Sequence, residues 1–482
     1  MAPDVTAPEE RWPVPPIVVG LVVACLSIGA LNWWLWHDRQ AFSTDLLFLQ
    51  ARAALAVEQT PPTGVLLTAP PAVLYMTMLT GSAAWGAALA ASIAIVVLVS
   101  IAARRRYRWV WAVPVLLQPV VVLGAVGYPG LLLATACMTA GVSGLVEYFR
   151  RPRLNALTSG ALALGALVLL DWDMWPLWIL LAAGIAVAMQ ESWPERLTLC
   201  LVALFPALAA SATWLFLNRT DTGWAWYFRD MPDLSLAHLE GWRMDAALAP
   251  PFGPYAIFAC AASVCCLSPL VIGPREHGWR LRAGVGIFLG APLVMLVLRA
   301  WLTGPVSALQ ASAFGLATAV VIVGSLEGRA LRTAAFLLML IGAVPGWYGV
   351  LTGGGEPAAL VAAALTGVPV PTVADAARLA GTINERRRPV DRVLVDDMGL
   401  FPIVALLDEG SWISSSSWDF RVAAEQPARW ARFVVDAAPG SPLAAQARLH
   451  VRQDILARDY TVAAVQGPLR LYERRADLKA GR

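Results

Sequence analysis

Apolar stretches of roughly 18 residues or more, broken by short polar connections, recur along most of the chain. They fall at about 14–36, 84–103, 109–127, 130–148, 154–170, 174–190, 197–217, 255–273, 283–299, 306–325 and 332–351. Each can cross a hydrocarbon layer of about 30 Å as a helix, so the pattern predicts about eleven transmembrane helices. The first stretch is longer than a secretory signal core and has Glu9 and Glu10 in its leader. No small-residue cleavage site follows, so an uncleaved anchor is expected.

Three segments interrupt the apolar pattern. Loop 37–83 follows the end of the first stretch, "NWWLWHDRQAFSTDLLFLQARAAL" (Asn32–Leu55). Within it Asp45, Leu46, Leu47, Leu49, Ala53, Ala54 and Leu55 fit an amphipathic helix lying on the outer surface, with Gln50 and Arg52 toward water. The proline-rich "TPPTGVLLTAPP" after it suggests a re-entrant or interfacial element. Loop 218–254 is rich in Trp, Arg and Asp, as suits a segment at headgroup level.

The third segment, 352–482, follows "TGGGEP", where Gly353, Gly354 and Gly355 are expected to form a hinge. Here the composition becomes that of a soluble domain. "DRVLVDD" predicts a buried strand, and "LFPIVALLD", "PARWARFVVDAA" and "SPLAAQARLHVRQDILARD" predict helices. "YTVAAVQGPLRLYERR" predicts a hairpin turning at Gln466-Gly467-Pro468. The expected architecture is a polytopic α-helical membrane domain, 1–351, followed by an α/β domain on the outer side, 352–482.

Composition agrees. Of 482 residues 58% are hydrophobic and 14% charged, against about 25% charged in soluble proteins. One set of connections carries Arg11, Arg104, Arg105, Arg106, Arg108, Arg150, Arg151, Arg153, Arg196, Arg275, Arg280, Arg282, Arg329 and Arg332. The alternate set carries only Arg39, Arg52, Arg219, Arg229, Arg243 and Arg299. The arginine-rich side is expected to be cytoplasmic, with the N-terminus inside and the C-terminal domain outside. The net charge of +3 points to no nucleic-acid partner. All six cysteines fall in apolar stretches, where they pack as small apolar residues.

The carboxylates gather at the outer ends of the spans. Asp45 near the start of its predicted helix has two readings: a favourable charge at the helix N-terminus, beside a Ser43 or Thr44 cap, or a reactive group at membrane depth. Asp38 abuts the first span and can pair with Arg39. "TDLLFLQARAAL", with the proline-rich segment leading into the second span, resembles the start of GT-C-fold glycosyltransferases. It is most similar to bacterial polyprenol-phosphate-mannose-dependent mannosyltransferases. The resemblance implies an enzyme in the bacterial cytoplasmic membrane using a polyprenyl-phosphate sugar donor and a glycan or glycolipid acceptor at the outer face. Asp45, or else Asp38, is then the general base. Where those enzymes carry Gly-Gln and Lys-Pro, this chain reads Gly127-Tyr128-Pro129-Gly130 and Asp173-Met174-Trp175-Pro176, which puts mannose as the donor sugar in doubt.

"LLDWDMWPLW" sets Asp171 and Asp173 in an outer turn, where they can orient an acceptor or share a divalent cation, although no cofactor is expected to be required. A polar turn between two helices accounts for them equally. Arg299, Arg219 and Arg229 are candidates to hold the donor phosphate, with snorkelling at a helix end the alternative for Arg299. His238 with Trp224, Trp226, Tyr227 and Trp242 can stack on sugars or anchor the loop at the interface. "VDDMG" (Val395–Gly399) reads as an ordinary strand-end turn. The chain has no nucleotide-binding glycine loop, no G-x-S-x-G elbow and no zinc spacing among its four histidines. Competing readings are a transporter or flippase, a polymerase or ligase of lipid-linked sugars, and a non-enzymatic scaffold. The absence of internal repeats and of mid-membrane charge speaks against transport.

Overall fold

The computed structural model describes residues 16–58, 71–103, 110, 112–223, 225, 260–272, 278–302, 307–353, 355–397, 399–407, 412–414, 419–438 and 451–475. In chain order the helices of the apolar part are α1 (Pro16–His37), α2 (Thr44–Glu58), α3 (Pro71–Thr80), α4 (Ala83–Ala103), α5 (Ala112–Leu116) and α6 (Pro119–Val126). They continue as α7 (Pro129–Arg150), α8 (Leu154–Val168), α9 (Trp175–Ala188), α10 (Trp193–Thr222), α11 (Ser268–Ile272), α12 (Trp279–Leu302), α13 (Ala308–Ser325) and α14 (Arg329–Thr352). Among the described residues seven helices are long and apolar enough to cross a membrane: α1, α4, α7, α10, α12, α13 and α14.

The remaining expected spans differ from single long helices. The stretch 109–127 breaks at Gln118, because Pro119 supplies no amide hydrogen and pushes its predecessor to extended backbone (φ −69, ψ 136). The Gln118 side chain crosses the break, donating to Pro114 O at 3.0 Å and Met339 O at 2.8 Å. The stretches 154–170 and 174–190 form helices of 15 and 14 residues, α8 and α9. Of the stretch 255–273 the described part, Cys260–Ile272, is a shorter apolar helix.

Small residues set the closest helix contacts. A Cβ on Gly144 of α7 would meet Ala156 O at 2.6 Å and Gly160 Cα at 2.7 Å on α8, so the two backbones touch. Asn32 ties α1 to its neighbours, donating to Ala84 O at 3.3 Å and Ala125 O at 3.0 Å. Outward faces carry large apolar side chains, such as Val23 and Leu26 on α1, Phe205 on α10 and Leu338 on α14. That exposure suits lipid rather than water.

After α14 come α15 (Glu356–Thr366) and α16 (Pro371–Arg386), then a five-stranded sheet. Its strands are β1 (Val393–Val395), β2 (Trp412–Ser414), β3 (Phe433–Ala437), β4 (Tyr460–Gln466) and β5 (Leu469–Arg474), in the order β2-β1-β3-β5-β4. Strand β1 runs parallel to β2 and β3, while β5 is antiparallel to β3 and β4. The helices α17 (Phe401–Leu406), α18 (Phe420–Glu425), α19 (Pro427–Trp430) and α20 (Gln453–Asp459) connect the strands.

The α/β reading and the hairpin at Gly467 (φ 54) match this sheet. The helix expected over "PARWARFVVDAA" does not form as a unit. Only Pro427–Trp430 is helical, and Phe433–Ala437 becomes the buried central strand β3, where β-branched Val434 and Val435 pack on both faces. The segment "SPLAAQARLH" lies outside the described residues; "QDILARD" is α20.

Two expectations are corrected, one about α2 and one about the glycine junction. Helix α2 is not an exposed interfacial helix. It does not lie on an outer surface with Arg52 and Gln50 toward water. Arg52 is fully buried, and Gln50 Oε1 accepts the Ala83 amide hydrogen at 2.8 Å. The helix is enclosed on one side by α3 and α4 and on the other by the C-terminal unit, where Phe48 meets Phe401 edge-on at 5.5 Å between ring centroids. Nor is the junction after α14 a free hinge, since Glu356, immediately after the glycines, is buried and bonded to Thr44.

Candidate active site

The chain reverses between α1 and α2 at Gln40, whose φ of 48 is the only positive value at a non-glycine among the described residues. Ala41 N then bonds Leu35 O at 3.0 Å, delivering Ser43 to the head of α2. Ser43 Oγ accepts the Leu46 amide hydrogen at 3.1 Å and donates to Gly127 O at 2.5 Å, where α6 gives way to α7. Gly127 permits this approach, because a Cβ there would stand 3.3 Å from Ser43 Cβ. Thr44 donates its amide hydrogen to Glu356 Oε1 and its hydroxyl to Glu356 Oε2, each at 2.5 Å.

The capping role is therefore filled by Ser43 and Glu356. Asp45 makes no hydrogen bond or ion pair with another described residue. It is half-buried, and enclosure of its carboxyl pushes the pKa from 3.8 up to about 7. Lost hydration disfavours the charged form, and among the described residues no cation stands beside it to compensate. A carboxylate with that affinity can take a proton near neutral pH far better than one at its ordinary value. Asp38, by contrast, is exposed, and Arg39 lies over the Trp34 ring at 4.8 Å instead of pairing with it.

Asp171 and Arg299, some 130 positions apart, form an ion pair. Asp171 also caps the 3-10 turn Trp172–Met174 by accepting the Asp173 amide hydrogen at 3.1 Å. Asp171 thus accepts a backbone amide hydrogen through one oxygen and meets a guanidinium through the other. No group of three or more potential metal ligands forms among the described residues. The Arg299 guanidinium meets a carboxylate at the helix end, in place of snorkelling to water. The pair stands at the same end of the bundle as Asp45. Ala72 N of α3 bonds Leu169 O beside Asp171 at 3.4 Å, and α3 packs on α2. At the opposite end, Arg150 and Arg151 meet Glu327 at 2.7 and 3.3 Å.

Arg219 is exposed near the end of α10, with no ion pair to a described residue. Arg229 and His238 lie outside the described residues, as do Trp224, Trp226, Tyr227, Trp242 and the segment 59–70.

No protein-family model matches the sequence, and no curated protein matches it. Solved structures do. The chain superposes on ArnT from Cupriavidus metallidurans in the apo state with a TM-score of 0.55 at 12% identity, covering 96% of this chain and 99% of that one. It superposes on ArnT bound to undecaprenyl phosphate with a TM-score of 0.53 at 14% identity and the same coverage. The chain has the GT-C fold. Archaeal oligosaccharyltransferase AglB from Archaeoglobus fulgidus, solved with an inhibitory peptide and a dolichol-phosphate, overlaps at 0.40 and 11% identity over 95% of this chain and 74% of that one. That overlap is below the level that speaks for a common fold. With the GT-C fold and its apolar helices the chain is a multi-pass membrane protein.

Sequence reasoning missed Glu356 and Asp397 as site-building residues. Glu356 follows three glycines and Asp397 lies just beyond a strand, and nothing in either local pattern announces a partner more than 300 positions away.

Proposed function

We propose that this GT-C protein is a glycosyltransferase of the EC 2.4 class. It transfers a sugar from a polyprenyl-phosphate donor to a glycan or lipid acceptor, on the membrane face that carries α2. Asp45 carries the reading: a carboxyl raised to about 7, free of cap and ion-pair duties, on a helix held from both sides. The fold it sits in is shared with a protein solved with undecaprenyl phosphate.

The chemistry is a single displacement. Asp45 takes the proton from an acceptor hydroxyl as that oxygen attacks the anomeric carbon. The new bond forms to the acceptor oxygen, the bond from carbon to phosphate oxygen breaks, and polyprenyl phosphate leaves with the electron pair. A guanidinium suits that anion, and Arg299 can exchange Asp171 for it. Arg219, Arg229 and His238 are further candidates for phosphate or sugar contact, and Asp173 for contact with the acceptor. The arginine distribution supports a cytoplasmic N-terminus and a periplasmic C-terminal unit in a bacterial inner membrane.

The test is transfer by the full chain in nanodiscs, offered a panel of undecaprenyl-phosphate sugars and membrane glycolipid acceptors. Release of undecaprenyl phosphate coupled to acceptor glycosylation is expected, and lost in Asp45→Asn. A folded Asp45→Asn protein with full transfer would overturn the base assignment; in sealed proteoliposomes, movement of the intact donor across the bilayer without cleavage would overturn the transferase.

A further inference from the structure

Three residues of α2 at spacing four, Thr44, Phe48 and Arg52, form one stripe along the helix, since positions i, i+4 and i+8 share a face. Each meets the C-terminal unit. Thr44 is held by both Glu356 oxygens at 2.5 Å, Phe48 packs against Phe401, and Arg52 pairs with Asp397 at 2.6 Å. The uppermost contact differs in kind from the other two. Glu356 is 1% exposed, stands at the first turn of α15, and grips the residue directly before Asp45 through backbone and side chain together.

We infer that Glu356 is a positioning residue for Asp45, so that the C-terminal unit completes the reaction site by holding the first turn of α2. This rests on Asp45 being the base. The first four amide hydrogens of a helix have no partner inside it, so the turn frays unless outside acceptors fix it. Here Glu356 takes the Thr44 amide and Ser43 takes the Leu46 amide. Ser43 is itself moored to Gly127 on the membrane side. Asp45 lies between these moorings, one on the bundle and one on the C-terminal unit. Release of the Glu356 side lets the turn open and its carboxyl reach water. Among the described residues the charged groups bearing on the head of α2 are Glu356 and Asp397 of the C-terminal unit, Arg52 on the helix itself, and Asp38 and Arg39 at the preceding turn.

The experiment compares the full chain in nanodiscs as wild type, Glu356→Ala, Glu356→Gln and Thr44→Val, with Asp45→Asn as reference. Undecaprenyl phosphate binding is titrated from about pH 5 to pH 9, a range that brackets a carboxyl raised by burial. Backbone amide exchange of residues 44–48 is followed in the same samples. The difference between wild type and Asp45→Asn isolates the contribution of Asp45, because an ionised carboxylate beside the phosphate weakens binding. In Glu356→Ala that step is expected to move down by about one pH unit or more, toward ordinary carboxylate values, and by less in Thr44→Val, which loses the hydroxyl bond and keeps the amide bond to Glu356. Exchange at 44–48 is expected to rise about tenfold, the size of one lost buried hydrogen bond. Glu356→Gln, which keeps an acceptor for the Thr44 amide, is expected to fall between. Unchanged exchange and an unmoved step in folded Glu356→Ala and Thr44→Val would overturn the positioning role alone. A binding profile identical in wild type and Asp45→Asn would remove Asp45 from the donor site and the positioning role with it.

Discussion

Arg52 of α2 and Asp397 at the end of β1 form an ion pair at 2.6 Å with neither side chain exposed. The guanidinium also donates to Asp397 O at 3.4 Å and lies over the Phe48 ring at 4.9 Å. A helix that follows the first membrane span is thereby locked to a sheet at the far end of the chain.

Breaking this pair leaves a charge stranded in the interior, which typically costs about 3 kcal/mol or more. Arg52→Met and Asp397→Leu are each expected to lower the thermal midpoint of the full chain in detergent. The double variant Arg52→Met/Asp397→Leu is expected to recover much of the loss, because no unpaired charge remains. Additive losses in that thermodynamic cycle would show that the two groups do not act as a pair.

Asp45 predicts two pH effects of defined sign. Its folded pKa of about 7 exceeds the ordinary 3.8, so between those values the folded state holds a proton that the unfolded chain has released. Stability present below about pH 4 is therefore lost as pH rises through about 7. Asp45→Asn is expected to raise the thermal midpoint at pH 8 and to leave it nearly unchanged at pH 4. Transfer should fall below about pH 7 as the base becomes protonated, by about tenfold per pH unit at the low end. An activity limb near pH 4 instead would assign the step to a carboxylate of ordinary affinity.

The Asp171–Arg299 pair predicts opposite effects from its two members. Arg299→Ala removes the cation proposed for the phosphate and is expected to weaken undecaprenyl phosphate binding by about tenfold to a hundredfold, the worth of a hydrogen bond to a charged group. Asp171→Asn removes the competing anion and keeps an oxygen to accept the Asp173 amide hydrogen, so binding should hold or tighten. Equal weakening in both, read by calorimetry, would make the pair a structural brace only.

Gly144 tests the packing between α7 and α8. A larger side chain there meets backbone atoms at 2.6 and 2.7 Å, which cannot yield as a flexible side chain does. Gly144→Leu is expected to cost about 3 kcal/mol or more and to reduce recovery of folded protein. Gly315→Ala, where a Cβ meets nothing within 4 Å, serves as the neutral comparison.

Much of this architecture was legible in the chain alone, and for one reason. Burial of apolar side chains in lipid leaves a local signature in every span, and hairpins such as 460–474 carry their turn residues with them. Asp45 stood out because a carboxylate next to a membrane-spanning stretch is expensive unless it serves a purpose. Local pattern also misled. Phe433–Ala437 has residues that suit helix or strand, and only its place between β1 and β5 settles it as strand. Arg52 falls on what a helical wheel makes the polar face of α2, yet that face is covered by a sheet some 340 residues onward.

From the sequence by itself came the membrane class, the α/β character of the end of the chain, and the carboxylates worth watching. Tertiary structure alone decided which of them are free and which are spoken for. Asp171 is matched to Arg299, Asp397 to Arg52, and Glu356 to Thr44, while Asp45 is left enclosed without a charge partner among the described residues. The pairing of charges depends on distances across the folded molecule, and a linear order of residues carries no record of them.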